Sequence, residues 1–505
     1  MPFAFASAGI GLSLVILTLV TIISYVTMVW LIEVLARIEC LHAIGAITAE
    51  GAPADTVDLE ASRSLIINPH DSGLNVVPGD RMQTSTSPPS GTMTPSPESL
   101  IASARRFMQI TDRKFELNEV TGFFLGKAWQ RFFEVAMCLY LFGALWGFAS
   151  VFGTTFGETI PFIGLSSKTW PCSFYGDPAN LPSECMASYQ LYVVIFALLV
   201  VPLSLKDMSE QTFIQIALCI VRFASFFVMV LWCLSFLFVE PYDPSIPDPG
   251  SPPYIAPGLS WFNMGGFGIA FSTCVFAQLT HHSAPGLAQP TKDKSKLAVV
   301  FLAALVVTFF FYAILGTTVA LYFGPSTQPM VSLNWQFIGG TPAGHSYPWW
   351  EYPLRYFILF FPVAVAISAY PLTAITFANT VYAALPAGWT KQQTCPRWRL
   401  GTRLFATLPP IACGLIMFEL STIVQFTGLF GVFIAFLFPA LLQWRSRRAV
   451  RSALGLTDGS SDDMLKTPYT MPYISSDIAT YLVGLFGFGS LGLMIALIIS
   501  PDLFG

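Results

Sequence analysis

The sequence predicts an all-α polytopic membrane protein, and three observations predict it. The composition is apolar and poor in charge, apolar runs reach the length of a membrane span, and Lys and Arg fall on one side of those runs. Of 505 residues, 54% are hydrophobic and only 11% are charged, where soluble domains carry roughly 25%. The mean hydropathy is +0.63. A net charge of −4 with scattered basic residues excludes a nucleic-acid partner of the basic-stripe kind. No Walker loop, no GxGxxG following a strand, no HExxH and no CxxC occurs, so no enzyme motif and no cofactor or metal site is expected.

A helix needs roughly 20 mostly apolar residues to cross about 30 Å of hydrocarbon. Ten runs are read as spans: Ile10–Leu35, Phe132–Phe156, Tyr189–Leu205, Phe213–Val239, Phe262–His281 (continuing to Pro290), Leu297–Phe323, Tyr352–Leu385, Leu404–Met417, Thr422–Leu442 and Ala479–Ser500. They lack the alternation of barrel strands. The boundaries of Tyr189–Leu205, which is short, and of Leu404–Met417, which carries Pro409 and Pro410, are the loosest. Loops 36–131, 206–212, 291–296, 386–403 and 443–475 hold nearly all Lys and Arg, while the opposite set holds only Lys168. That bias places the first set in the cytosol and the C-terminus outside or in a lumen. Cys172 and Cys185 share the non-cytosolic loop 157–188, where a disulfide between them is expected, with two free thiols as the alternative. No Asn-x-Ser/Thr sequon occurs.

Within the 37–118 linker, residues 51–105 are rich in Ser, Thr and Pro and read as largely disordered. Ser87, Thr94 and Ser96 each precede a proline; a kinase or cytosolic partner there is one reading and a solvated tether the other. Phe107–Arg131 suits an amphipathic interfacial helix, and transmembrane helices occupy the rest of 119–500.

Two segments are too long for straight spans. Met1–Leu35 would make roughly 52 Å of helix, and Gly9-Ile-Gly11 offers a break, so the first nine residues read as a half-helix dipping into the membrane. Trp261–Pro290 opens with Asn263-Met-Gly-Gly-Phe-Gly, carries Ser272, Thr273 and Gln278 at its middle, and ends Thr280-His-His-Ser-Ala-Pro. Glycines and polar residues at that depth suit an interrupted helix whose freed backbone groups bind a ligand; a kinked structural helix is the alternative.

Met1-Pro-Phe-Ala-Phe-Ala-Ser-Ala-Gly, followed by a long span ending Trp30-Leu-Ile-Glu-Val-Leu-Ala, resembles the amino acid/auxin permease family, nearest in pattern to its transmembrane protein 104 branch. The likeness recurs at Ile110-Thr-Asp-Arg, Leu139-Tyr-Leu-Phe-Gly, Cys274-Val-Phe through His282-Ser-Ala-Pro, Ser368-Ala-Tyr-Pro, and Glu419-Leu-Ser through Thr427-Gly-Leu-Phe-Gly. The resemblance implies the amino acid-polyamine-cation arrangement: inverted five-helix repeats with broken helices 1 and 6, plus an eleventh helix, solute binding between the breaks. On this chain the sixth-helix break is then expected near Phe276-Ala-Gln278. Residues 1–36 correspond to a remnant of helix 1 followed by helix 2, and the expectation is that the rest of helix 1 lies upstream of Met1 in the gene.

Phe276, Ala277, Gln278, Thr273 and Tyr140 are the expected substrate contacts, with packing and interhelical hydrogen bonding as the alternative. Charges within spans are costly and usually functional. Arg222, pairing with Glu33 or Glu134, is a candidate gate, and snorkelling is its alternative. His281 and His282 are candidate pH sensors, or histidines that simply meet headgroups. Ser368 is the candidate ion ligand, but Ala369 stands where sodium-coupled relatives carry a hydroxyl, which favours proton coupling or uniport over sodium. The expected function is secondary transport of amino acids or similar small zwitterions at the plasma or endolysosomal membrane, the alternative being a non-transporting sensor on the same fold. The expected partners are the solute and the bilayer.

Overall fold

The computed structural model describes residues 1–43, 108–110, 115–160, 172, 174–175, 181–205, 212–239, 255–288, 291–335, 349–384, 396–453 and 465–499. The 51–105 linker, with Ser87, Thr94 and Ser96, lies outside them. Among the described residues there is no strand, and eight helices are long and apolar enough to cross a membrane. The chain is an all-α polytopic membrane protein.

A short helix α1 (Pro2–Ala8) is followed at once by α2 (Ile10–Ala43). Between them Gly9 has φ 87°, and a Cβ there would lie 2.6 Å from the Trp261 backbone. Only glycine takes both the left-handed turn and the close approach without strain. The break expected at Gly9–Gly11 is therefore present. Helix α2 does not stop at Leu35 but continues through Arg37 to Ala43.

The interfacial segment forms α3 (Leu117–Leu125), opened by a capping box between Glu116 and Glu119. It turns at Gly126 into α4 (Lys127–Thr159). Helices α5 (Ser183–Ser204) and α6 (Thr212–Phe236) follow. A Cys172–Cys185 disulfide pins the preceding loop to the first turn of α5, and the Phe174 amide donates to the buried Glu158 carboxylate at 2.8 Å.

The 262–290 segment is broken. A turn at Met264–Gly266 leads into α7 (Phe267–Gln278), the helix stops at Leu279–Thr280, and after a turn at His281–Ser283 a five-residue α8 (Ala284–Ala288) follows. Then come α9 (Leu297–Phe323), α10 (Glu351–Ala384, with Pro362 and Pro371 inside it) and α11 (Pro396–Ile416, with Pro409 and Pro410). The Asp293 carboxylate caps the turn before α9; hydrogen bonds from Ser295 and the nearby Lys296 hold its pKa below the ordinary value. Helix α12 (Leu420–Ala453) widens into a π-helical stretch at Phe433–Leu437, and α13 (Asp477–Ile499) closes the described chain.

Chain breaks inside a bilayer must find partners for their backbone groups, because lipid offers none. The end of α11 shows how. The Trp146 indole donates to the Met417 carbonyl at 3.0 Å, Ser150 to Phe418 at 2.5 Å, and the Tyr189 hydroxyl to Gly414. Helices α4 and α5 thus cap a break they do not contain.

Candidate functional site

The two broken segments are stapled together. The Asn263 amide donates to the Ala8 carbonyl at 2.8 Å, its side-chain amide to Ser7 at 2.9 Å, and the Leu12 amide to Trp261 at 3.2 Å. Gly266 faces the backbone of Ser7 and Ala8, where a Cβ would stand 2.4 Å from an oxygen. So α1 and the start of α7 meet backbone to backbone, and the small residues on both sides make that approach possible.

Beside them lies a cavity of about 400 Å³. Ile269, Thr273, Phe276 and Ala277 reach it from α7, at the spacing of a single helix face. Helix α4 adds Gly143, Gly147 and Phe148, α9 adds Tyr312, and α12 adds Ser421 and Thr427. Gly143 matters by its lack of a side chain: a Cβ would fall 2.2 Å from the Thr427 hydroxyl. No side chain lining this cavity carries a charge.

Three of the five expected contacts, Thr273, Phe276 and Ala277, line the cavity. Tyr140 stands just behind them, its ring 5.8 Å from Phe276 and 6.0 Å from His282. Gln278 faces away. Its amide is buried, donating to Thr21 on α2 at 3.0 Å and accepting from Thr308 on α9 at 3.0 Å, beside a second cavity of about 310 Å³. His281 is buried and shares a 2.8 Å hydrogen bond with Thr27. Ser368 donates to Val365, one turn back on its own helix, at 2.9 Å. Among the described residues no group of three or more His, Cys, Asp or Glu could hold a metal ion.

The pairing expected for Arg222 is corrected. Its side chain is exposed on α6. Glu33 is instead taken by Arg37, one turn further on, at 2.6 Å, and Glu134 accepts from Gln130 at 3.1 Å. Glu33 and Arg37 are 0% and 1% exposed, so the pair lies at the centre of a network. Gln443 bridges both ions, donating to Glu33 at 2.9 Å and accepting from Arg37 at 2.7 Å. Ser446 accepts from Arg37 at 3.1 Å, and Ser475 donates to Glu33. Sequence reasoning missed Arg37 by ending the helix before it. The i,i+4 spacing from Glu33 was the available signal.

With that geometry in view, the comparisons with known proteins agree. Residues 99–455 match the transmembrane amino acid transporter protein family. The chain is 25% identical to transmembrane protein 104 of Homo sapiens over 90% of its own length and 85% of the human protein. It is 24% identical to the homolog of Drosophila melanogaster over 90% of this chain and 86% of the fly protein, and 23% identical to that of Dictyostelium discoideum over 89% and 85%. The chain belongs to the transmembrane amino acid transporter protein family.

Proposed function

We propose that this protein is a secondary transporter of amino acids or similar small zwitterionic solutes, working by alternating access. The observation that carries the reading is the cavity beside the α7 break, whose lining side chains carry no charge. A zwitterion brings both charges with it, and an unpaired charge on the wall would be left buried whenever the site emptied. The last carbonyls of α7 lack intrahelical partners and suit an ammonium. The hydroxyls of Thr273 and Tyr312 suit a carboxylate, and Phe276 and Phe148 suit an apolar side chain. The same reading takes α7–α8 as the sixth helix of two inverted five-helix repeats and α1 as half of the first.

Coupling to protons, or none, fits better than sodium. Ala369 offers no side-chain oxygen beside that of Ser368. Orientation follows the Lys and Arg bias, with the Glu33 end of α2 in the cytosol and the disulfide loop outside or lumenal.

Uptake of radiolabelled amino acids into proteoliposomes of the full-length chain tests this. The expected result is saturable uptake of at least one neutral amino acid, unchanged when choline replaces sodium. A ligand-induced thermal shift without flux would instead establish a sensor on the same fold.

A further inference from the structure

The far end of α12 carries a feature that the transport reading does not use. Trp444-Arg-Ser-Arg-Arg places three arginines in four positions, and they part company. Arg447 turns toward α13, meeting Asp477 at 2.5 Å and the Ser475 carbonyl at 3.3 Å. Arg445 and Arg448 are exposed, and both stack on Trp444, their guanidinium carbons 4.9 and 4.0 Å from the ring centroid. Neither forms an ion pair among the described residues; Asp458, Asp462 and Asp463 of the following segment lie outside those residues.

Depth and chemistry agree. From Leu420 to Trp444 the helix rises about 36 Å at roughly 1.5 Å per residue, just more than the roughly 30 Å of hydrocarbon. The indole therefore sits at headgroup level, where tryptophan concentrates. A guanidinium held by its face against an indole keeps its N–H edge free, and that edge matches phosphate in a fork. Exposed Lys127 and Arg131 open α4 at the same end, where Trp129 meets Phe438 of α12 at 6.3 Å. Arg445 follows Phe438 by two turns, which puts it on the same face.

We infer that Trp444, Arg445 and Arg448 form a binding site for the phosphate headgroup of an anionic lipid in the leaflet at that end of the bundle. Two guanidiniums gathered on one indole distinguish it from a diffuse basic rim, which attracts the whole leaflet without holding one molecule.

The test titrates the purified full-length protein with phosphatidylglycerol or phosphatidylcholine and counts bound lipid by native mass spectrometry. Phosphatidylglycerol should be retained roughly thirtyfold better, as two basic contacts imply. Arg445→Gln with Arg448→Gln should reduce it to the phosphatidylcholine level. Trp444→Leu, which keeps both charges, should lower retention roughly threefold, and Lys296→Gln on the surface before α9 should leave it unchanged. Should the double Gln variant not fold, Arg445→Lys with Arg448→Lys decides: reduced retention supports the site, and full retention overturns it. Equal retention of the two lipids, or a double Gln variant matching wild type, also overturns it. Glycerol phosphate in equal amount should not displace the lipid; displacement would mean a free-phosphate site and sink the lipid assignment.

Discussion

Arg37 carries a charge into a buried polar network, and its surroundings set the sign of any change made there. A buried ion pair is weak evidence of net stability, because desolvation offsets the Coulomb gain, yet removing one partner leaves the other charge uncompensated. Around Glu33 the polar groups come from three places, Arg37 on α2, Gln443 on α12 and Ser475 before α13. We therefore expect Arg37→Met to destabilise the folded protein by about 3–5 kcal/mol. Arg37→Met combined with Glu33→Gln should cost clearly less, since no charge is then stranded. Thermal unfolding in detergent of the two single variants and the double measures the coupling. Additive effects would mean that the two residues do not act as a pair. If that coupling is found, the network serves as a latch between α2, α12 and the segment leading into α13, rather than as a gate built on Arg222.

At the scale of the element, the broken segment 262–290 shows what was legible in the sequence. Its excess length and its glycines point to a break, and of the contacts expected from it Thr273, Phe276 and Ala277 line the cavity while Gln278 does not. The stop itself falls at Leu279–Thr280, a few residues later than expected. What sets that point is tertiary: Gln278 is clamped between Thr21 of α2 and Thr308 of α9, residues far apart in sequence. The same cause hid the reach of α2, whose last turns are buried by groups some 400 positions downstream (|i−j| of 406 for Gln443 and 409 for Ser446). The tilt of a side chain toward or away from a cavity is likewise not written in the residue type. Uptake kinetics should separate the two faces of α7. Thr273→Val and Phe276→Ala should raise KM, since both side chains line the cavity. Gln278→Leu should leave KM unchanged and cost about 1 kcal/mol of stability. The cost stays small because Thr21 keeps its bond to the Leu17 carbonyl and Thr308 can turn its hydroxyl proton to the Ala304 carbonyl. A raised KM in Gln278→Leu alone would move the site to the other face of the helix.

For the whole molecule, charge asymmetry makes a claim that hydrogen bonds cannot make, because it names the side of the membrane on which each end lies. Two kinds of cysteine allow that claim to be tested without altering the chain. Cys172 and Cys185 are bonded to each other, in the loop that the Lys and Arg bias sends away from the cytosol, where oxidation persists. Cys395 lies in the basic 386–403 loop that the same bias retains in the cytosol. In sealed membranes with the cytosolic face outward, a membrane-impermeant maleimide should label Cys395 directly. Cys172 and Cys185 should be labelled only after both detergent and a reductant are added, since each of two barriers, the bilayer and the disulfide, protects them separately. Peptide mapping by mass spectrometry reads all three sites in one sample. Labelling of Cys172 and Cys185 by impermeant reductant and maleimide in the intact membranes, with Cys395 protected, would invert the topology. The Glu33 latch and the arginines on Trp444 would then face the lumen or the exterior, and the positive-inside reading of this chain would be wrong.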